Sequence, residues 1–363
     1  MKIVFVTTSF LIGGLERSSA NISNYLCNLN DVELTVITQY KFKHFYSLDP
    51  RIKCIEPEFK KEGISKLYYY LKIVFFFRKH FKKEKPHVIL SFGEYCNFQT
   101  LLAGMFLNIP IVISDRASPE LKISFPTNIL RKLTYPLAAG FIAQTERMKI
   151  SLIEKFGIKA PIQVIPNAIR KIDFFPELLR QNRIVAAGRL HPIKQYDKLI
   201  KAFENANTDN WELLILGDGG ERNYLLELIN KSSKKSKIIL EEKTVNLDLK
   251  FAESKVFALT SESEGYPNSL CEAMAAGLVV VSFDIIAGPK ELIEDGINGF
   301  LIEANNMKML SLKISNIIKH FDEITQIGEN AKLVADKLNI ESIGNQYFNF
   351  LKENCIIKKS NVR

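Results

Sequence analysis

The stretch Thr260-Ser-Glu-Ser-Glu-Gly-Tyr-Pro-Asn-Ser-Leu-Cys-Glu-Ala-Met-Ala-Ala-Gly277 decides how the second half of this chain folds. Residues 254–260, which lead into it, are β-branched and aromatic and predict a short buried strand. Residues 269–276 are rich in Leu, Ala, Met and Glu and predict a helix that ends at Gly277. Residues 278–283 predict a second strand. The order is therefore strand, loop, helix, strand, and the loop contains the unusual residues.

Two carboxylates mark this stretch as a candidate binding site. Glu264 lies in the loop and Glu272 lies in the predicted first turn of the helix, with seven residues between them. Gly265 allows close approach of a ligand, Pro267 fixes the turn, and free amides at the helix start point toward a bound anion. This set suits a ligand with hydroxyls at one end and phosphate at the other. The structural alternative is a capping box, Ser269-x-x-Glu272, with Glu264 as a solvated loop charge.

A second motif supplies positive charge. Residues 183–188 predict a buried strand, and Gly188-Arg189-Leu-His-Pro-Ile-Lys194 follows it. Arg189 offers a bidentate fork and Lys194 a compact charge. Such a pair of cations on one loop before a helix would stabilise the negative charge that develops on a diphosphate as it leaves the sugar. The alternative is a solvated basic turn.

Three ordered segments of the second half form one longer pattern: Ser261-x-x-Glu264-Gly-Tyr-Pro-x-x-x-x-Glu272-Ala-Met-Ala-x-Gly277, Gly288-Pro-x-Glu291 and Asp295-Gly-x-Asn-Gly-Phe-Leu301. This pattern resembles the signature of the family 4 retaining glycosyltransferases, a resemblance that points to bacterial polysaccharide or glycan assembly. It implies an α/β fold of the GT-B type, in which two doubly wound parallel-sheet Rossmann-like domains face a cleft.

The resemblance also implies a function. A retaining hexosyltransferase would move a sugar from a nucleotide diphosphate sugar, expected to be a UDP-sugar, to a glycan or lipid-linked glycan acceptor in cell-surface polysaccharide synthesis. The expected catalytic residues are Glu264, which stabilises the oxocarbenium-like centre, and Arg189 and Lys194, which hold the diphosphate. Glu272 is expected to accept hydrogen bonds from the ribose. The residues expected to bind the donor are Gly13, Gly14, Arg189, Lys194, Glu264, Gly265, Tyr266, Pro267, Asn268, Ser269, Leu270 and Glu272.

The start of the chain predicts a phosphate-binding geometry. Residues 2–8 form a near-continuous apolar run, typical of a buried parallel strand, and Gly13-Gly14 follows before an amphipathic helix. The loop lacks the full Gly-x-Gly-x-x-Gly, and no acidic residue ends the next strand, so a nicotinamide cofactor is not indicated. The resemblance places this loop against the donor phosphates. A tight turn is the alternative.

Three polar residues follow the next two predicted strands. Glu94 comes after the strand at residues 87–91, and Asp115 and Arg116 come after the strand at residues 109–114. Open α/β sheets bind ligands outside the carboxyl ends of their strands, so these residues are candidates for contact with the acceptor or the sugar. Many family members have a histidine near here. This chain has no clear counterpart, and Arg116 is a candidate for part of its role.

Neither a metal nor another cofactor is expected. The chain contains no Asp-x-Asp that would bridge a metal to the diphosphate, and its five cysteines form no Cys-x-x-Cys pair. The cysteine spacing argues against a disulfide framework and a zinc site and favours a reducing cytosol. No signal peptide is evident. We therefore expect a cytoplasmic protein.

The region from Lys60 to Lys85 combines an aromatic run with clusters of lysine. Its apolar centre is too short to span a bilayer, but an aromatic helix flanked by cations fits a membrane interface. The net charge of +9 suits an anionic membrane surface or an anionic substrate. The protein is therefore expected to reach the inner face of the cytoplasmic membrane as a peripheral protein. A core helix with a solvated basic end is the alternative.

The sequence divides into four expected parts. These are an acceptor-binding domain at 1–168, a linker at 169–181, a nucleotide-sugar-binding domain at 182–335, and a C-terminal helix at 336–363 that packs back on the first domain. Two rival functions fit the same motifs: a nucleotide-sugar 2-epimerase, which needs no acceptor, and a catalytically silent nucleotide-binding module. Dispersed basic residues without a stacking platform argue against nucleic-acid binding.

Overall fold

The computed structural model describes residues 1–360 apart from 12, 60, 61, 117, 119–123, 209, 243, 245 and 287, and it describes side chains as far as residue 355. The chain divides into two units. The first unit contains residues 1–168 together with the chain from Ile340 onward, and the second contains residues 169–339. The segment expected as a linker, 169–181, belongs to the second unit.

Strands and helices alternate through the first unit. Its strands are β1 (Lys2–Thr7), β2 (Glu33–Thr38), β3 (Lys53–Ile55), β4 (Val88–Phe92), β5 (Ile111–Ser114), β6 (Gly140–Ala143) and β7 (Ile162–Val164). Its helices up to β7 are α1 (Gly14–Cys27), α2 (Lys66–Glu84), α3 (Glu94–Gly104), α4 (Phe125–Thr134) and α5 (Glu146–Phe156). Over the described residues, the strands form one parallel sheet in the order β3-β2-β1-β4-β5-β6-β7.

The apolar runs of the sequence explain the centre of this sheet. Residues 3–7 of β1 are all buried, because β2 and β4 pair with β1 on its two edges and helices cover the sheet. Strands buried on both faces consist of continuous apolar residues rather than alternating ones. The strand order reverses between β1 and β4, and ligands bind at such a switch point in open α/β sheets. The carboxyl ends of β1, β4 and β5 therefore define the candidate site of this unit.

The second unit repeats the same architecture. Its strands are β8 (Gln181–Ala187), β9 (Glu212–Leu216), β10 (Ile238–Glu241), β11 (Ser254–Leu259), β12 (Val279–Asp284) and β13 (Phe300–Glu303). Its helices are α6 (Tyr196–Asn205), α7 (Arg222–Lys231), α8 (Leu247–Ala252), α9 (Asn268–Ala275), α10 (Pro289–Leu292), α11 (Met307–Lys319), α12 (Thr325–Ala331) and α13 (Val334–Leu338). In the part of the chain described here, the parallel strand order is β10-β9-β8-β11-β12-β13.

The last helix, α14 (Ile340–Ser360), packs on α1 within the first unit. It begins four residues after the expected start at 336. Gly344 makes the close approach possible, since a Cβ there would lie 2.2 Å from the ring of Tyr25. The Tyr25 hydroxyl also donates a hydrogen bond to Asn345 at 2.8 Å.

The fold class predicted from the sequence, two doubly wound parallel-sheet Rossmann-like domains, is confirmed by these two sheets. In neither sheet does a strand run antiparallel to its neighbour, among the residues that the structure describes. None of the helices that the structure describes has the length and apolar character needed to span a bilayer.

Candidate functional site

Helix α9 begins one residue earlier than the sequence predicted, and this excludes the capping box. Its N-cap is Pro267, which offers no side-chain hydrogen bond, and Ser269 lies inside the first turn. The first intrahelical bond runs from the Cys271 amide to the Pro267 carbonyl at 3.1 Å. Glu272 is the fifth helical residue and is buried, so it does not close the helix end. Its carboxylate serves another purpose.

The carboxylate of Glu264 is the centre of a small polar cluster. Lys194 Nζ lies 2.5 Å from Glu264 Oε1, and the Ser261 hydroxyl donates to the same oxygen at 2.6 Å. The Glu264 side chain is 12% exposed and that of Lys194 is 17% exposed. Glu264 is therefore a fixed, partly desolvated group, and its interpretation as a solvated loop charge is wrong. The sequence predicted both residues as site residues but did not predict their contact.

The residues of this cluster come from two loops that are joined by hydrogen bonds. One follows β8 and carries Lys194, and the other follows β11 and carries Glu264. The Glu262 amide donates to the Ile193 carbonyl at 2.8 Å, and the Thr260 hydroxyl donates to the Lys194 carbonyl at 3.0 Å. Because β8 and β11 are neighbours in the sheet, their carboxyl ends meet at one edge. The neighbouring strands and these bonds fix the distance between the cation and the carboxylate.

Glycines allow the loops at this edge to approach. A Cβ on Gly188 would lie 2.8 Å from the Tyr196 hydroxyl and 3.4 Å from Lys194 Cε. In the glycine turn after β9, a Cβ on Gly217 would lie 1.9 Å from the Gly188 carbonyl oxygen. The Leu190 amide donates to the Asp218 carbonyl at 2.9 Å. The glycine turn after β9 therefore packs directly against the loop that carries Arg189 and Lys194.

Glu272 lies in a second ionic cluster of the same unit. Arg170 donates to both carboxylate oxygens of Asp248, and its Nε lies 3.7 Å from Glu272 Oε2. Burial tends to lower the pKa of Arg170, but hydrogen bonding to Asp248 and the charges of Glu272 and Asp248 outweigh it and raise that pKa. Glu272 is therefore a buried carboxylate with a fixed cation beside it. No sequence pattern pointed to Arg170, which belongs to the segment expected as linker.

The other residues expected at the donor site differ in exposure. Arg189 is exposed, whereas Gly265, Asn268 and Ser269 are half-buried. Tyr266, Pro267 and Leu270 are buried, so the Leu270 side chain belongs to the core. The amides of Ser269 and Leu270 precede the first intrahelical bond of α9 and are placed to donate to a ligand. Burial, and after it the neighbouring Cys271, raises the pKa of Tyr266 well above its ordinary value, so the hydroxyl of Tyr266 stays protonated.

In the first unit, the glycine pair starts a helix as predicted. Gly14 is the first residue of α1 and Gly13 is its N-cap, without a side-chain cap. A Cβ on Gly13 would lie 2.1 Å from Glu16 Oε2, so the Glu16 carboxylate is close to this helix start. A phosphate at the same place would meet both the amides of α1 and this carboxylate.

Arg116 and Asp115 are held in buried contacts inside the first unit. Arg116 donates to Asn167 and to the Tyr347 hydroxyl of α14, and its guanidinium lies 3.9 Å from the centre of the Phe92 ring. Burial lowers the pKa of Arg116. Asp115 pairs with Arg131 and accepts from the Tyr135 hydroxyl at 3.1 Å. These contacts give both residues a packing role that the sequence did not predict.

Glu94 differs from its two neighbours at this sheet edge. It is the first residue of α3 and is only 8% exposed. Its Oε2 atom is buried and has no hydrogen-bond partner among the residues that the structure describes. Burial, and then the charge of Asp115, raise the pKa of Glu94 to about 7. Glu94 is therefore a buried carboxyl that is half protonated near neutral pH.

Comparisons with known proteins identify the family of this chain. The family described as Glycosyltransferase Family 4 matches residues 12–171, and the family described as Glycosyl transferases group 1 matches residues 169–334. The amylovoran biosynthesis glycosyltransferase AmsD of Erwinia amylovora is 26% identical over 316 residues, which are 84% of this chain and 86% of AmsD.

Two further proteins match nearly the whole chain. One, from Campylobacter jejuni, is the GalNAc-α-(1→4)-GalNAc-α-(1→3)-diNAcBac-PP-undecaprenol α-1,4-N-acetyl-D-galactosaminyltransferase, 24% identical over 97% of this chain and 99% of that protein. The solved structure of Anabaena HepE in complex with UDP has the same fold, with a TM-score of 0.80 at 20% identity over 97% of this chain and 100% of HepE. The resemblance found in the sequence is thereby confirmed, and the chain belongs to the family 4 glycosyltransferases with the GT-B fold.

Proposed function

We propose that this glycosyltransferase moves a hexosyl group, with retention, from a UDP-sugar to a glycan or lipid-linked glycan acceptor in bacterial cell-surface polysaccharide synthesis. The observation that carries the proposal is the cluster of Lys194, Glu264 and Ser261 beside the start of α9. It combines a cation, a partly desolvated carboxylate and amide donors at one sheet edge. The relatives support the acceptor class, since one is named for amylovoran biosynthesis and another for an undecaprenol-linked glycan. The UDP complex of HepE supports the donor class.

The diphosphate of the donor would lie between the cations and the helix start. Lys194 has three N–H donors, so it is able to bridge Glu264 and a phosphate oxygen. Arg189 is exposed on the same loop and is free to turn toward the diphosphate. The amides of Ser269 and Leu270 add donors where the helix dipole favours negative charge. With these groups and no Asp-x-Asp in the chain, we propose that diphosphate binding needs no metal.

Glu264 would act on the sugar. Both Lys194 and Ser261 contact Oε1, so Oε2 is the oxygen that would accept hydrogen bonds from donor-sugar hydroxyls. As the bond from the anomeric carbon to the diphosphate breaks, positive charge grows on the sugar, and a fixed carboxylate stabilises it. The acceptor oxygen bonds to the same face of that carbon, and its proton passes to the leaving diphosphate. Retention follows without a protein nucleophile.

Replacing the two carboxylates one at a time separates chemistry from structure. Glu264→Gln should lower kcat about 10²–10³-fold, because the carboxylate acts more strongly on the transition state than on the ground state. Glu272→Gln should raise the donor KM, since an amide is a poorer acceptor for the ribose. Glu262→Gln is the matched control, because Glu262 is exposed in the same loop. Steady-state release of UDP from a panel of UDP-sugars, with and without a membrane lipid extract, measures all three.

Several outcomes would contradict the proposal. If Glu264→Gln and Glu272→Gln both turned over normally while melting at lower temperature, the carboxylates would be structural. UDP release that never depended on an acceptor, with an epimerised sugar as product, would identify the epimerase. Binding of UDP without release from any UDP-sugar tested would leave only the silent binding module.

We also propose that Glu94 contacts the acceptor. The raised pKa of Glu94 first allows a test of whether its carboxyl is buried and protonated. A carboxyl whose pKa is raised on folding stabilises the fold fully below its unfolded pKa, near 4.5, and loses that contribution as the pH rises through about 7. Glu94→Gln should therefore be more stable than the wild type at pH 8, by up to about 3 kcal/mol in the free energy of unfolding, and about equally stable at pH 4, as melts at the two pH values would show. Glu146→Gln is the control, because Glu146 is the exposed first residue of α5.

The acceptor role has its own measurement. Glu94→Ala should raise the acceptor KM and leave the donor KM unchanged, while Glu94→Gln, which still donates a hydrogen bond, should keep the acceptor KM near the wild-type value at pH 6. An acceptor KM that is unchanged in Glu94→Ala would restrict Glu94 to packing. Identical pH dependence of melting in Glu94→Gln and the wild type would contradict the buried, protonated carboxyl.

The helix of the aromatic run, α2, has a buried apolar face and an exposed apolar face. One face, with Tyr69, Ile73, Phe77 and Phe81, is buried in the core of the first unit. The opposite face is exposed: Leu67 is 71% exposed, Leu71 49% and Phe75 69%. Each of these lies four positions after the previous one, so they form one stripe. The stripe continues into the exposed lysines of the last turns, Lys79, Lys82 and Lys83.

A second apolar stripe lies on α4, which the sequence did not single out. Phe125 is 78% exposed, Ile129 43% and Leu133 68%, again four residues apart. Helix α3 packs against both α2 and α4, so both stripes lie on helices of the first unit that contact α3. Exposed apolar stripes beside lysines fit the boundary of an anionic bilayer. We propose that this surface docks on the inner face of the cytoplasmic membrane, where a lipid-linked acceptor would be found.

Liposome pelleting tests the docking surface. Phosphatidylglycerol vesicles should pellet the wild type, and salt should release it, because each lysine near an anionic surface contributes only about 1 kcal/mol and is screened. Changing Lys79, Lys82, Lys83 and Lys85 to Glu should abolish pelleting, and Phe75→Ser with Leu133→Ser should reduce it. Leu179→Ser is the control, since Leu179 is 91% exposed but lies in the second unit. Pelleting that survived both sets of changes would contradict the membrane proposal.

A further inference from the structure

One group of side chains outside the glycosyl-transfer site has the composition of a metal site. The ligand atoms of His44, Cys54 and Glu56 all lie within 4.8 Å of one another. His44 Nε2 is 3.1 Å from Glu56 Oε1. The His44 side chain is 29% exposed and that of Glu56 22%, and Cys54 is exposed, so the cluster lies at the surface and is open to solvent.

The backbone explains why these residues meet. Cys54 is the middle residue of β3, the edge strand that pairs with β2, and Glu56 follows two residues later. In an extended chain, residues two apart point to the same side, so Cys54 and Glu56 share a face. His44 reaches that face from the connection between β2 and β3.

The imidazole of His44 is positioned by packing against Phe10. Its ring packs on the ring of Phe10, with centroids 5.2 Å apart and an interplanar angle of 60°. The amide of Phe45, the next residue, donates to the Phe10 carbonyl at 2.8 Å. Phe10 is fully buried, so it is a fixed support. The imidazole is thus placed by packing as well as by its bond to Glu56.

Nitrogen, sulfur and oxygen donors together favour zinc. Zn²⁺ binds Cys sulfur at about 2.3 Å and His nitrogen or carboxylate oxygen at about 2.0–2.2 Å, which puts tetrahedral ligands roughly 3.5 Å apart. The observed spacing needs only small side-chain movements to reach that value. Magnesium and calcium prefer oxygen-only ligands, so a thiol and an imidazole select against them.

We propose that His44, Cys54 and Glu56 bind one Zn²⁺ ion, with water in the fourth position. The ion would fasten the edge strand β3 to the connection that precedes it and, through Phe10, to the segment after β1. This site lies wholly in the first unit and does not rest on the proposed transfer reaction. The cysteine spacing argued against a zinc site, because no two cysteines lie close together in the sequence. In the folded chain, however, one cysteine, one histidine and one glutamate lie together.

Titration of the metal-free full-length protein tests the site. Zn²⁺, measured in competition with a chromogenic chelator, should bind with a stoichiometry of one, and Co²⁺ should give a thiolate-to-cobalt charge-transfer band in the near ultraviolet. Cys54→Ala, His44→Gln and Glu56→Gln should each weaken Zn²⁺ binding by at least the ~10–100-fold that losing an outer partner of a metal ligand costs. Zn²⁺, but not Mg²⁺, should raise the melting temperature of the wild type.

Two control variants match the chemistry of the site. Cys27→Ser removes another of the free cysteines. His320→Gln breaks a second His–Glu contact, in which His320 Nδ1 lies 3.2 Å from Glu323. Among the described residues, this contact is not part of a three-ligand cluster with a cysteine. Both controls should keep the cobalt band and the zinc affinity. A wild type without the cobalt band, or a Cys54→Ala variant that binds Zn²⁺ as tightly as the wild type, would overturn the proposal and leave a plain His44–Glu56 hydrogen bond.

Discussion

The contact between Lys194 and Glu264 is the interaction on which the candidate site depends. A partly buried carboxylate is costly unless a cation or hydrogen-bond donors compensate it, and Lys194 and Ser261 do so on one oxygen. The pair also joins the loops after β8 and β11, which are held side by side by the Glu262 amide bond to Ile193 and the Thr260 hydroxyl bond to Lys194. The same contact therefore sets both charge and geometry. In the proposed function, Lys194 would bind the diphosphate and Glu264 would stabilise the developing sugar cation, and the structure places these two side chains in contact.

Much of this arrangement could be predicted from local patterns. Continuous apolar runs predicted the parallel strands, because strands covered on both faces have no polar side. Arg189, Lys194, Glu264 and Glu272 were singled out by their charge and spacing and by the resemblance of their motifs to those of family 4 glycosyltransferases. The structure places the first three in loops after β8 and β11 and Glu272 in α9. The helix start was misplaced by one residue, since Ser269 is a good capping residue but Pro267 occupies the N-cap.

What the sequence did not predict depends on contacts between distant residues. Arg170 reaches Asp248 and Glu272 from a segment without regular structure, and no spacing rule connects them. Helix α2 has an apolar face on both sides, so periodicity could not separate its core face from its exposed face. The cluster of His44, Cys54 and Glu56 forms only when the edge strand and the preceding connection are folded. In each case, tertiary packing supplies information that local sequence lacks.

Calorimetry of UDP binding in EDTA tests the central claim most directly. Wild type should bind UDP without Mg²⁺ or Mn²⁺, and Arg189→Ala and Lys194→Ala should each weaken binding by about 1.5–3 kcal/mol, the value of a lost charge-assisted hydrogen bond. Lys201→Ala, at an exposed position of α6, should bind like the wild type. Strict dependence of wild-type binding on Mg²⁺ or Mn²⁺, or unchanged affinity in Lys194→Ala, would contradict the account.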